Sequence, residues 1–304
     1  GKNYKYVQLF GGFIIIIFLS TYAAAQLNAG SKSMHILFGL DYRLGAIIGG
    51  IIVSLYCFSG GIRASIWTDA AQSFVMIVAM LLMVVFGVKE IGGFSIFINE
   101  LHKISPDYMR WFPSTNFSEF FLAPFMFITG WFFSGVGVIG QPHVMVRFMT
   151  IDNTKNIPKT RIYYYTWYTL FYSLTICAAF VARLLIPETD NSDPELALPT
   201  LALNLLPEFF VGVVLAGIFA ATMSTADSQI LACTASITND LSFNKKNNYL
   251  INKLVTLIVT VFVVTIAINE NKNVFNLVLM SWSTLACCFS PLIIVNSLKH
   301  KVSE

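Results

Sequence analysis

The segment Ala220-Ala221-Thr222-Met223-Ser224-Thr225-Ala226-Asp227-Ser228-Gln229 sets hydroxyls, a carboxyl and an amide inside an apolar run from Phe209 to Ile237. In a helix, Ser224 stands three residues from Asp227 and four from Ser228, so their oxygens share one face with Thr225 beside them. Oxygen donors are what a small hard cation takes, and Ser, Thr and carbonyls of a helix loosened at the upstream Gly217 would supply them. Taken singly, each hydroxyl is equally served by bonding back to its own helix or across to a neighbour. The carboxyl is harder to place, because a charged side chain at membrane depth costs at least about 2.5 kcal/mol. The segment therefore reads as a cation site.

Three further groups of residues could do chemistry. Gly60-Gly61-Ile62-Arg63 leads into Trp67-Thr68-Asp69, with Gln72 about one turn on. Asp69 has two readings: a carboxylate favoured at a helix N-terminus by capping and the macrodipole, or a functional carboxylate within reach of water. Gly130, Gly135, Gly137 and Gly140-Gln141-Pro142-His143, followed by Arg147, predict a broken helix, since Pro142 removes a backbone bond and glycines weaken the rest. Interrupted helices near mid-membrane are where transporters bind substrates. His143 reads first as a packed histidine and only second as a proton relay, and Arg147 as a side chain snorkelling to the cytoplasmic interface. Tyr22 and Gln26, one turn apart, face either a substrate or the interfacial aromatic belt. Tyr163, Tyr164, Tyr165, Trp167 and Tyr168 beside Lys159 and Arg161 read as belt and anchor.

The elements that must position these residues follow from composition. Of 304 residues, 56% are hydrophobic and 12% charged, and the mean hydropathy is +0.70, which predicts a polytopic all-α membrane protein. At about 20 apolar residues per span, about eight runs qualify: Val7 to Leu27, Leu44 to Ser59, Trp67 to Val88, Phe117 to Phe148, Tyr163 to Leu185, Phe209 to Ile237, Leu254 to Ile268 and Phe275 to Leu298, the second and seventh being short. Lys2 and Lys5, Arg63, then Arg147 to Arg161, then Lys245, Lys246 and Lys253, and finally Lys299 and Lys301 fall on alternate loops. Those loops are expected inside, with both ends cytoplasmic. Asp41, Glu90, Glu100, Asp107, the run Glu188, Asp190, Asp193, Glu195, and Glu270 fall on the opposite loops, with a scatter of Lys32, Arg43, Lys89, Lys103, Arg110, Arg183 and Lys272, so the alternation is a bias and not absolute. A net charge of +3 follows from that bias and implies no nucleic-acid partner.

Several classes are not expected. The five cysteines sit in apolar runs without metal or redox spacing, and the four histidines are scattered. No nucleophile motif or phosphate-cradling loop occurs, so an enzyme is not predicted. A channel would need a ring of filter groups, and nothing repeats in that manner. The first run is too long for a signal-peptide core. No cofactor is expected beyond the cation that the polar segment would hold.

Gly60-Gly61-Ile62-Arg63-Ala64 with Trp67-Thr68-Asp69 and Gln72, Gly140-Gln141-Pro142-His143 with Arg147-Phe148-Met149, and Ala221-x-x-Ser224-Thr225-Ala226-Asp227-Ser228-Gln229 together resemble the sodium:solute symporter family, and its proline branch best. The resemblance covers essentially the whole chain and implies a LeuT-like fold built on an inverted five-helix repeat. It implies that Ala221, Ser224 and Thr225 bind sodium, Ala221 through its carbonyl, and that Asp69, Asp227 and Ser228 form an inner gate or a second sodium site. For the solute it implies Tyr22, Gln141 and Pro142. The aromatic residues of the proline branch fall on Ser134 and Val138, with Trp131 displaced by about one turn. The expected function is sodium-coupled symport of a small organic solute, proline or a related amino acid, in the cell membrane. Pantothenate, a sugar or a carboxylate are the other substrates the family would allow.

Aligned on these motifs, the first run matches the family's fourth helix, and the chain ends about two helices early. The expectation is a single transporter domain over 1–304, partial, with an incomplete first repeat and the second around 117–298. The helices that would complete the site are then partners in a longer protein. A symporter-derived sensory or structural module and a truncated inactive copy are the alternatives.

Overall fold

The computed structural model describes residues 5–105, 107–112, 122–186, 193–241, 249–269 and 273–298. Among the described residues the chain is helical and has no strand. Lys2, Lys245, Lys246, Lys299 and Lys301 on the expected inner side lie outside them. So do Glu188, Asp190, Glu270 and Lys272 on the outer side, and the start of the fourth run at Phe117.

The long elements follow the apolar runs. Helix α1 spans Lys5–Phe38, α2 Tyr42–Ile91, α3 Phe94–Ile104, α4 Leu122–Val136, α5 Pro142–Met149, α6 Ile157–Leu185, α7 Ala197–Leu205, α8 Glu208–Ala235, α9 Tyr249–Asn269 and α10 Val274–Ser297. Six stretches are long and apolar enough to cross a membrane, and Tyr42–Phe58 and Pro124–Gly140 are shorter apolar helices. The second run is thus short as expected, whereas the seventh fills a complete 21-residue helix.

Helix α2 is two antiparallel helices joined at Gly60 and Gly61. Gly61 takes φ 57° and ψ −148°, a left-handed region that side chains resist. Contacts along α8 establish the reversal. A Cβ on Gly49 would lie 3.2 Å from Met223, Cys57 and Ser65 both reach Asp227, and Gly217 abuts Ala79. The chain therefore descends past α8 from position 49 to 57 and climbs back from 65 to 79. Gly217 does not loosen α8, which is continuous through it. Its role is close approach, since a Cβ there would stand 2.5 Å from Ala79 Cβ.

The predicted break in the fourth run is present. After α4 the chain tightens into a 3₁₀ turn over Gly137–Gly140, and Gln141 is extended. Pro142 then opens α5, where its missing N–H costs nothing.

Two apolar clusters share α8. One holds Leu19, Leu27, Val53, Met223, Ile230, Val263 and Leu285 from α1, the first half of α2, α8, α9 and α10. The other holds Met83, Phe97, Leu101, Val181, Leu201 and Val214 from the second half of α2, α3, α6, α7 and α8. Ala226, Asp227, Ser228, Gln229 and Ile230 are all buried, and five consecutive residues cover more than a full turn. Helix α8 is therefore enclosed on every side there. Large apolar side chains such as Phe10, Ile51, Leu55, Phe74, Val85 and Val261 point outward, as lipid-facing surfaces do.

Candidate functional site: the polar face of α8

One turn before the enclosed segment of α8, the stripe through Ala221, Ser224 and Thr225 is only half-buried. The Ala221 carbonyl accepts hydrogen bonds from Ser224 Oγ at 3.1 Å and Thr225 Oγ1 at 3.0 Å. Each hydroxyl spends its single proton on that carbonyl and keeps its lone pairs as acceptors. The three expected sodium ligands are thus clustered, with two hydroxyl oxygens able to face a cation. The Ala221 carbonyl would have to share its lone pairs with both hydroxyls.

One turn further, an ionic network ties three elements together. Ser65 Oγ lies 2.8 Å from Asp227 Oδ1 and 3.5 Å from Asp69 Oδ2. Ser228 Oγ lies within donating distance of the Ser224 carbonyl, 2.7 Å, and of Asp227 Oδ1, 3.1 Å. Arg147 Nη2 pairs with Asp69 Oδ2 at 2.5 Å and donates to Ser228 Oγ. Asp69, Asp227 and Ser228, grouped from the sequence as one site, are indeed adjacent. Arg147 corrects its expected role: it turns inward to two acceptors on α2 and α8, because α5 starts late, at Pro142, and packs its last turns against α8. Ser65 was not anticipated. Its signal was present, four residues before Asp69 on the same helical face.

The residues expected at the solute are divided. Tyr22 is buried on α1 with its ring edge-on to His143, centroids 5.8 Å apart, so it is a core residue and not part of an interfacial belt. Gln141 is fully buried, its Nε2 donating to the Trp282 carbonyl at 3.0 Å while its Oε1 has no protein partner. Pro142 and Val138 flank it, half-buried. Trp131, 65% exposed, and Ser134, whose carbonyl accepts from Trp282 Nε1 at 3.4 Å, lie on the open flank of α4. Gln229, fully buried on α8, has neither amide atom partnered, a feature sequence inspection passed over.

The two ends of the bundle differ. At the end carrying Arg63 and Arg147, a cavity of about 530 Å³ opens beside the Gly60–Gly61 turn. At the other end Lys32 of α1 bonds both Asp193 and Glu195, and Glu195 Oε1 also accepts the Phe275 N–H of α10 at 2.9 Å. Burial works against the Asp193 carboxylate, yet the bonds from Lys32 and from the Glu195 N–H hold it below the usual carboxylate range. That end is clasped by ion pairs and holds a smaller cavity of about 300 Å³ beside Lys32 and Glu195, while the first end holds the larger one.

A broken helix beside an enclosed polar helix, in a bundle with six apolar spans, defines a multi-pass membrane protein of the LeuT-like class. Residues 2–304 match the model of the sodium:solute symporter family, and the chain belongs to that family. It is 30% identical over 300 residues to the sodium/proline symporter of Staphylococcus aureus, with the same identity to those of strains Newman and COL. The match covers 95% of this chain and 57% of the relative, so the chain spans little more than half the length of those relatives. Its fold is similar to that of a Na+-coupled sialic acid symporter in a substrate-bound outward-open state, with a TM-score of 0.74 at 20% sequence identity. That superposition covers 94% of this chain and 62% of the other.

Proposed function

We propose that this chain forms the core of a sodium-coupled symporter for a small organic solute, proline or a related amino acid, in the cell membrane with both described ends cytoplasmic. The observation that carries the reading is the half-buried stripe of Ala221, Ser224 and Thr225, whose oxygens cluster one turn before the fully buried segment 226–230 of the same helix. Sodium held by these oxygens would favour one conformation of the bundle over another, and differential affinity for two states is all that coupling requires. The substrate assignment leans on the named relatives together with buried Tyr22 and Gln141 and half-buried Pro142. Exposed Trp131 and Ser134, with Val138 beside Gln141, would contribute only if another segment of the protein covers α4.

Asp69, Asp227 and Ser228 act in this reading as an inner gate, closed by Arg147. The Arg147 guanidinium already supplies the cation that a second sodium would otherwise bring.

Reconstituted in liposomes, the protein should accumulate labelled L-proline under an inward sodium gradient and not under choline or potassium. Equal uptake in all three salts would reject sodium coupling, and sodium-driven uptake of a different solute would reject proline alone.

A further inference from the structure

The 530 Å³ cavity has the size of a small-ligand pocket. It is walled by α2, α5, α8 and α9, and among the described residues the two charged side chains lining it are both cations, Arg147 and Lys253. Arg147 stands at its depth and is committed to Asp69 and Ser228. Lys253, in the second turn of α9, is differently placed. Its ammonium lies 4.4 Å from the Tyr249 ring centroid and 5.9 Å from that of Phe58. Among the described residues no carboxylate is within ion-pair distance of it.

A cation resting on ring faces is held in place while its N–H groups are not consumed. The neighbouring wall offers little competition: Thr234 and Thr256 bond each other at 3.2 Å, and Thr256 also donates to the Asn252 carbonyl at 2.9 Å. Asp69 and Asp227 do not line the cavity, and the hydroxyls of Ser65 and Ser228, which do, bond them. Among the described residues lining the space there are hydroxyls and amides but no anionic partner for Lys253. A charge-assisted bond to an anion would fill that place.

We propose that Lys253 is a release subsite that binds the carboxylate of the transported solute in this cavity before it leaves the protein. The ligand class is a small organic carboxylate. Taking the cargo as its bearer rests on the transport reading above. A lysine serving only as a positive-inside charge would show no preference for a carboxylate ligand.

The test uses the purified protein in nanodiscs, with lysines dimethylated by ¹³C-formaldehyde so that each keeps its charge. The Lys253 methyl signal, displaced upfield by the two rings, is assigned by its loss in Lys253→Arg or, should that variant fold poorly, in Lys253→Gln. Sodium acetate, L-proline and L-prolinamide are the probes. Saturable shifts with acetate and L-proline, with at least about tenfold weaker response to prolinamide, are expected from the weight of a charged hydrogen bond. No shift with either carboxylate, or an equal shift with prolinamide, would overturn the subsite. A shift with acetate alone would overturn its assignment to the cargo. Failure of sodium-driven uptake with the carboxylate-selective shifts intact would count against the transport reading and leave the subsite standing.

Discussion

Replacing Arg147 by methionine keeps most of the side chain's length and removes the charge that bridges Asp69 and Ser228. The Asp69 side chain is 16% exposed and that of Arg147 is 38% exposed. Exposed pairs contribute about 0–1 kcal/mol, whereas breaking a buried one costs about 3–5 kcal/mol. With one end dry and the other partly wet, the expected loss is about 2 kcal/mol. What remains is unfavourable: Asp69 Oδ1 has no protein partner, and Oδ2 keeps only Ser65 Oγ at 3.5 Å, a hydroxyl it shares with Asp227. Asp69→Asn should cost less, about 1 kcal/mol, because Arg147 still faces Ser228 with Asp227 behind it. Unfolding by urea in nanodiscs, measured for both single variants and the double variant, should give a coupling of about 1–2 kcal/mol. Sodium chloride should restore more stability to Arg147→Met than choline chloride does, since a small cation can bridge two carboxylates. The reasoning fails if the two losses add to within about 0.5 kcal/mol, or if Asp69→Asn is the costlier change.

Further predictions follow from single contacts. Gly140→Ala would set a Cβ 2.6 Å from Ser290 Oγ and 2.9 Å from the Ala286 Cα and the Leu285 carbonyl, so it should destabilise by about 2 kcal/mol or more and lower the midpoint of thermal unfolding. Ser65→Ala removes the 2.8 Å donor to buried Asp227 and should cost about 1–2 kcal/mol in the same assay, with Ser65→Thr largely restoring it. The clasp at Lys32 has a defined pH window. Because Asp193 is held below its ordinary value, its contribution is complete above the unfolded value of about 3.9 and is lost as pH falls through the lower folded value. Spin labels on α1 and α7 should therefore report a constant distance from pH 7 to about 5 and separation only below about pH 4.

Much of the fold was legible because apolar length is a strong signal: seven of the eight expected runs correspond to a described helix or half-helix, and the fourth, where described, divides into α4, the 3₁₀ turn and α5. The break before Pro142 was legible for the same local reason, since proline and clustered glycine act through the backbone alone. Partners across the bundle were not. Arg147 looked like one more inner-side charge, and only tertiary packing brings it to Asp69. Ser65 carried no motif of its own, and its importance rests on the reversal at Gly60–Gly61 that sets it opposite Asp227. The polar stripe of α8 was legible residue by residue. That it would be half-open, in a helix buried all round one turn later, depends on neighbours that no local pattern encodes.

The central claim is that the oxygens of Ser224 and Thr225 hold the coupling sodium. In the reconstituted protein, the sodium concentration giving half-maximal L-proline uptake should rise about tenfold in Ser224→Ala and in Thr225→Ala, equivalent to about 1.4 kcal/mol per lost ligand. Ser228→Ala, outside that stripe, should shift it less. An unchanged sodium dependence in both variants, with uptake still measurable, would contradict the account.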